Sequence, residues 1–168
     1  MDTLTAIATR RSIRNYKSGS LSKEQLNVLL TAAQASPFGM GQYENVRLTV
    51  VQNKEYLAQI DAAFGKDKHL LYGAATLIII TAKNPSQMEY IGAGAIAQNI
   101  ALAATALDLG SCDIMGAMTK LEQNATLQAK LGIPTEFVPC FSVAIGETTE
   151  NLVKRDFTKK RIAVDIID

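Results

Sequence analysis

Apolar positions along this chain change their spacing several times, and each change marks an element. "VRLTVVQ" at 46–52, "ATLIIITA" at 75–82 and "FVPCFSVAIG" at 137–146 are short runs rich in branched and aromatic residues, and they predict strands. A short extended piece near 112–117 and the tail "RIAVDII" at 161–167 offer further pairing. Helix starts are equally legible. "SKEQ" at 22–25, "SQME" at 86–89 and "TKLE" at 119–122 each match the capping box, in which a Ser or Thr hydroxyl and a Glu or Gln side chain satisfy each other's orphan amides. They predict helices over about 22–35, 86–109 and 119–131, with Gly110 and Gly132 as stops for the last two. Asp2 or Thr3 opens a helix ending near Thr9, and Asn53 opens one running to about Phe64. No linker, repeat or low-complexity segment divides 1–168, so one α+β domain is expected.

The helix over 86–109 breaks the amphipathic rule. "IGAGAIAQNIALAATAL" is small or apolar on every face except at Gln98, Asn99 and Thr105. A helix of this kind is buried all round, in a membrane or in a large core. Ala and Gly dominate and polar residues interrupt it, which favours a protein core over a bilayer. A chain this small has difficulty covering a helix roughly 36 Å long. A second copy of the chain would cover the rest, so a homodimer is expected.

That helix also contains "GAGAIA", which fits the dinucleotide fingerprint GxGxxA. The fingerprint works only where a strand runs directly into the first glycine and the helix opens at the phosphate. Here the capping box starts the helix six residues earlier. Gly92 and Gly94 are therefore read as sites of close packing.

Composition narrows the function. The chain has 168 residues, 48% hydrophobic and 20% charged, with a formal net charge of +1. Such a chain is globular, and it has no global field for nucleic acid or acidic lipid. The N-terminus lacks the apolar core of a signal peptide, and Cys112 and Cys140 fit no CxxC pattern; reduced thiols and a cytoplasmic setting are expected. There is one histidine, His69, and no ligand cluster for zinc. No GxSxG elbow accompanies it, so His69 reads as a surface or hinge residue. If the protein is an enzyme, the difficult chemistry belongs to an imported cofactor.

Local charge is another matter. "RRSIRNY" at 10–16 gathers Arg10, Arg11, Ser12 and Arg14, and a second basic run, "KRDFTKKR", occupies 154–161. Guanidinium forks and a serine hydroxyl suit phosphate oxygens. A solvated turn with weak ion pairs is the plainer alternative. The two readings separate only if both runs meet in space.

The order of these pieces resembles the FMN-dependent nitroreductase family over essentially the whole chain: "RRSIRNY", the Ser-Pro loop "ASPFGMGQYENVRLTVV", the helix "GAGAIAQNIALAATALDLGSCDIMG", "FSVAIGE" and a basic "KKR". The loop departs from the family's usual Asn and Pro-Trp. The resemblance implies a central, mostly antiparallel sheet flanked by helices, and an intertwined homodimer with two FMN molecules at its interface. It also implies ping-pong transfer from NAD(P)H to a small electron-poor acceptor such as a nitroaromatic or quinone, with no nucleic acid or membrane partner. Carried over by position, Arg10, Arg11, Ser12 and Arg14 would hold FMN. Ser36, Pro37, Phe38 and Gln42 would reach the partner's flavin. Met115 and Gly116 would lie beside flavin N5, and Lys159 and Arg161 would close on the phosphate. A flavin-binding or flavin-delivery protein of the same fold, without significant turnover, is the alternative.

Overall fold

A computed structural model describes residues 1–65, 69–158 and 161–167. The elements run α1 (Thr3–Thr9), α2 (Lys23–Gln34), β1 (Val46–Val51), α3 (Lys54–Ala62), β2 (Thr76–Lys83), α4 (Gln87–Ala106), β3 (Gly110–Asp113), α5 (Gly116–Glu122), α6 (Ala125–Lys130) and β4 (Phe137–Gly146). Two 3₁₀ turns, Gly39–Gly41 and Tyr43–Asn45, shape the Ser-Pro loop. The strands form one sheet in the order β1-β2-β4-β3, every pair antiparallel. The expected α+β fold, an antiparallel sheet with helices on its faces, is what the chain adopts.

β2 reads as a solid apolar run because both faces of the sheet are covered. Ile78, Ile80 and Ala82 face a core built with α2 and α4, including Leu29, Ile96 and Ile100. Leu77 and Ile79 face a second core with Leu57, Ile60, Met118 and Leu121 from α3 and α5. Alternation along the strand divides these residues between the two cores. Pro139 interrupts β4 without breaking the sheet, because it sits where the β2–β4 register shifts between Ile80 and Thr81. A bulge tolerates a residue with no N–H to donate.

The capping boxes at Ser22 and Ser86 form as expected, while Asp2 and Asn53 cap α1 and α3. Four boundaries differ from the sequence reading. "TKLE" starts no helix: Thr119 lies inside α5, and Asn124 breaks the stretch by accepting the Leu127 N–H to open α6. α4 stops at Ala106, with Asp108 taking the left-handed position (φ 57°) expected of a glycine. Gly110 instead begins β3, where an added Cβ would lie 2.8 Å from Ile13 Cγ2. The extended piece near 112–117 is β3 at 110–113, and Gly116 heads a helix. The tail over 161–167 forms no strand and is exposed throughout, Ile162, Val164, Ile166 and Ile167 included.

α4 is buried over most of its girth, with Ala101 at 1% and Ala104 at 0% exposure. Gly92 is required there because an added Cβ would stand 2.6 Å from the Phe38 ring. One stripe stays open or half-buried: Ile91, Ala95, Gln98, Leu102 and Ala106 follow helical spacing. Among the described residues no helix is long and apolar enough to cross a membrane.

Candidate functional site

α1 ends because Arg10 leaves the helical region (φ −54°, ψ 128°). The chain then runs extended along the free edge of β3. Ser12 forms a parallel bridge with Ser111, and the Ile13 N–H donates to the Ser111 carbonyl at 2.9 Å. Ile13 is fully buried against Gly110, so Ser12 and Arg14 project to the opposite side of the extended segment. The chain after β4 lies against this segment. The Lys17 N–H donates to Glu147 (2.8 Å), Thr148 Oγ1 to Asn15 (2.8 Å), and the Arg155 N–H to Ala8 (3.0 Å).

The two basic runs therefore lie against each other. Burial pushes the Arg155 guanidinium below its ordinary value, and the neighbouring charges of Arg10 and Arg161 push it further the same way. Glu150 joins the seam, pairing with the Arg11 guanidinium and accepting the Arg14 N–H at 3.4 Å. Arg14 reaches over Tyr72, its Cζ 5.8 Å from the ring centroid. Burial raises the Cys112 thiol above its ordinary value, and the Arg14 charge opposes that shift. Met115, 51% exposed, and Gly116 follow β3 on the same edge, with Phe64 and Leu70 within 3.5 Å of an added Gly116 Cβ.

Arg10, Arg11, Ser12 and Arg14 thus lie along the β3 edge that continues into Met115 and Gly116, while Arg161 is near enough to Arg155 for its charge to act there. Lys159 lies outside the described residues. The Ser-Pro loop does not join them within one chain. It leads into β1, at the other end of the strand order, three strand spacings of roughly 4.8 Å away. Ser36 is 1% exposed and donates its hydroxyl to the Ala32 carbonyl (2.9 Å) while accepting from Asn99 Nδ2 (2.8 Å). Phe38 belongs to the core against Gly92, so it is no free stacking surface. Pro37 and Gln42 are exposed, and Gln42 Oε1 accepts from Asn45 (3.1 Å). A cavity of about 580 Å³ opens beside the loop between Gln34, Tyr43, Arg47, Ile96 and Phe137. It contains none of the clustered arginines and is a separate feature.

Sequence reasoning missed three contributors. Arg155 is one of five basic residues in the second run, Glu150 carries no local signal, and Tyr72 stands before a glycine in an otherwise ordinary loop sequence. His69 fits the surface reading, its Nδ1 3.0 Å from Asp61 Oδ2. No group of metal ligands occurs among the described residues, and both cysteines are free and buried.

The fold has solved counterparts. A nitroreductase with bound FMN from Bacteroides fragilis superposes with a TM-score of 0.83 at 25% identity, covering all of both chains. One with bound FMN from Desulfitobacterium hafniense gives 0.84 at 25% identity, over 99% of this chain and 100% of that one. Residues 7–68 and 65–147 match the sequence pattern of the Nitroreductase family, and the chain belongs to that family. A relative from Archaeoglobus fulgidus, provisionally named NADH dehydrogenase/NAD(P)H nitroreductase, is 31% identical over 147 residues, 85% of this chain and 83% of its own.

Proposed function

We propose that the protein is an FMN-dependent oxidoreductase working as a homodimer, which draws electrons from NAD(P)H and passes them to a small electron-poor acceptor, a nitroaromatic or a quinone, in ping-pong order. The observation that carries this reading is the seam where the Arg155 N–H bonds the Ala8 carbonyl (3.0 Å), which lays the second basic run against Arg10 at the end of α1. Like charges brought together against their own repulsion suit a doubly charged phosphate, and the forks of arginine match its oxygens. The residues present fit FMN. Arg10, Arg155 and Arg161, with Arg11 and Ser12 beside them, supply donors for the phosphate and ribityl chain. Arg14 supplies positive charge for the electron-rich pyrimidine edge, and Met115 and Gly116 leave backbone accessible at the N5 side. Bound FMN supplies the two-electron relay between pyridine nucleotide and acceptor. The chain's own part is to hold, orient and electrostatically bias that group.

The dimer follows from the sheet order. A site that takes arginines from the β3 edge and Pro37 and Gln42 from the β1 edge needs two chains. The largely apolar open stripe on α4, interrupted at Gln98, gives them a surface to share, and the exposed Ile162, Val164, Ile166 and Ile167 give the tail apolar side chains to bury.

The test is direct. Purified protein reconstituted with FMN should be yellow, release FMN on denaturation, and bleach anaerobically on addition of NADH or NADPH, with colour returning when menadione or a nitroaromatic follows. Protein that retains no FMN overturns the reading. Bound flavin that neither nucleotide bleaches leaves a flavin-binding or flavin-delivery protein instead.

A further inference from the structure

Tyr72 occupies a backbone position that tyrosine avoids. Residues 69–74 fold into two overlapping turns, with the Tyr72 N–H donating to His69 (3.2 Å) and the Ala74 N–H to Leu71 (2.9 Å). Both central residues of the second turn have positive φ, 53° at Tyr72 and 77° at Gly73. That is the type I′ pattern, whose first central position favours Asn, Asp or Gly. A bulky side chain there is an outlier that persists only where the surroundings impose it, and such outliers concentrate at functional sites. The surroundings here are specific. Asp61 pins the turn, accepting the Leu71 N–H at Oδ1 (3.0 Å) and facing His69 at Oδ2 (3.0 Å). The ring then packs beside the core that includes Cys112 and Ala117, with the Arg14 guanidinium carbon 5.8 Å from its centroid.

We propose that Tyr72 is a positioning residue, held in a strained turn so that its ring fixes the Arg14 guanidinium where it meets the pyrimidine edge of the flavin. The inference rests on the flavin reading above. A guanidinium on a long side chain has many rotamers, and an aromatic face removes most of them before the ligand arrives. The turn sets where that face stands. An asparagine at position 72 would suit the backbone better and leave Arg14 without its platform.

The decisive experiment is a double-mutant cycle on FMN affinity, read by fluorescence titration, with thermal melts of the FMN-free proteins alongside. Tyr72→Asn should remain folded and weaken FMN about fivefold, while Tyr72→Phe, which restores the ring, should stay within about twofold of the parent. In an Arg14→Ala background, Tyr72→Asn should cost nothing further, since a residue acting through Arg14 loses its effect when Arg14 is gone. The flavin midpoint potential should move negative in Tyr72→Asn and return in Tyr72→Phe, a signature that a purely structural role would not produce. Should Tyr72→Asn fail to fold, Tyr72→Leu carries the same cycle. An equal loss with and without Arg14, or parent-like affinity in Tyr72→Asn, overturns this inference alone. A parent that takes up no FMN overturns it together with the flavin reading.

Discussion

Glu150 and Arg11, 139 positions apart in sequence, form an ion pair across the seam between the two ends of the chain, and the same carboxylate accepts the Arg14 N–H. The pair is partly exposed, so its worth to stability is small, about 0–1 kcal/mol. Its effect on a ligand has the opposite sign. It places a negative charge against the donors proposed for an anionic cofactor. Glu150→Gln should therefore leave the melting temperature within a few degrees and tighten FMN about two- to fivefold. Fluorescence titration at two ionic strengths checks it; weaker binding would mean that Glu150 orders the site.

The crowding of Arg155 with Arg10 and Arg161 makes a second expectation. Removing a charge-assisted donor costs about 1.5–3 kcal/mol, so Arg10→Ala and Arg155→Ala should each weaken FMN roughly ten- to a hundredfold. Lys54→Ala, at the start of α3, should change nothing. The same titration decides, and unchanged affinity in both arginine variants removes the phosphate assignment.

Gly110 couples fold to site. A methyl there would stand 2.8 Å from Ile13 Cγ2 and push the 10–14 segment off β3. Overpacking of this kind costs about 1–3 kcal/mol. Gly110→Ala should lower the melting temperature by several degrees and weaken FMN, and Ile13→Ala in the same chain should recover part of the binding. Parent-like melting of Gly110→Ala would show that the segment shifts freely.

The open stripe of α4 supplies the test of assembly. Ala101 and Ala104 are buried inside the protomer, so charges there would unfold the chain and report nothing about dimers. Leu102 and Ala95 lie on the open stripe. Sedimentation should find the parent dimeric and Leu102→Glu folded but monomeric, with FMN lost. A monomeric parent that keeps its flavin contradicts the arrangement.

Local rules made the helix starts legible: Ser22 and Ser86 cap as read because a capping box is complete within four residues. The same rule misled at Thr119, where the exit from β3 starts α5 earlier and Asn124 ends the run. Gly110 looked like a helix stop and is a contact with a residue nearly a hundred positions away, which no local pattern encodes. The arginine run was visible as composition, but its meeting with Arg155 depends on β4 returning beside β3. Tyr72 was hidden for a related reason, since its importance lies in a φ angle and a neighbour that sequence does not display.

The separation of the arginine seam and the Ser-Pro loop to opposite edges of one sheet has a genetic consequence on the proposed dimer. Damage to the seam and damage to the loop are then defects of different halves of one site. A subunit lacking Arg14 and a subunit with a disrupted Pro37–Gln42 loop would each be inactive as pure dimers. Mixed by unfolding and refolding together, they would form heterodimers in which one of two sites draws its seam and its loop from undamaged chains. Random pairing restores about a quarter of all sites. Two dead alleles would complement one another, whereas two seam alleles would not.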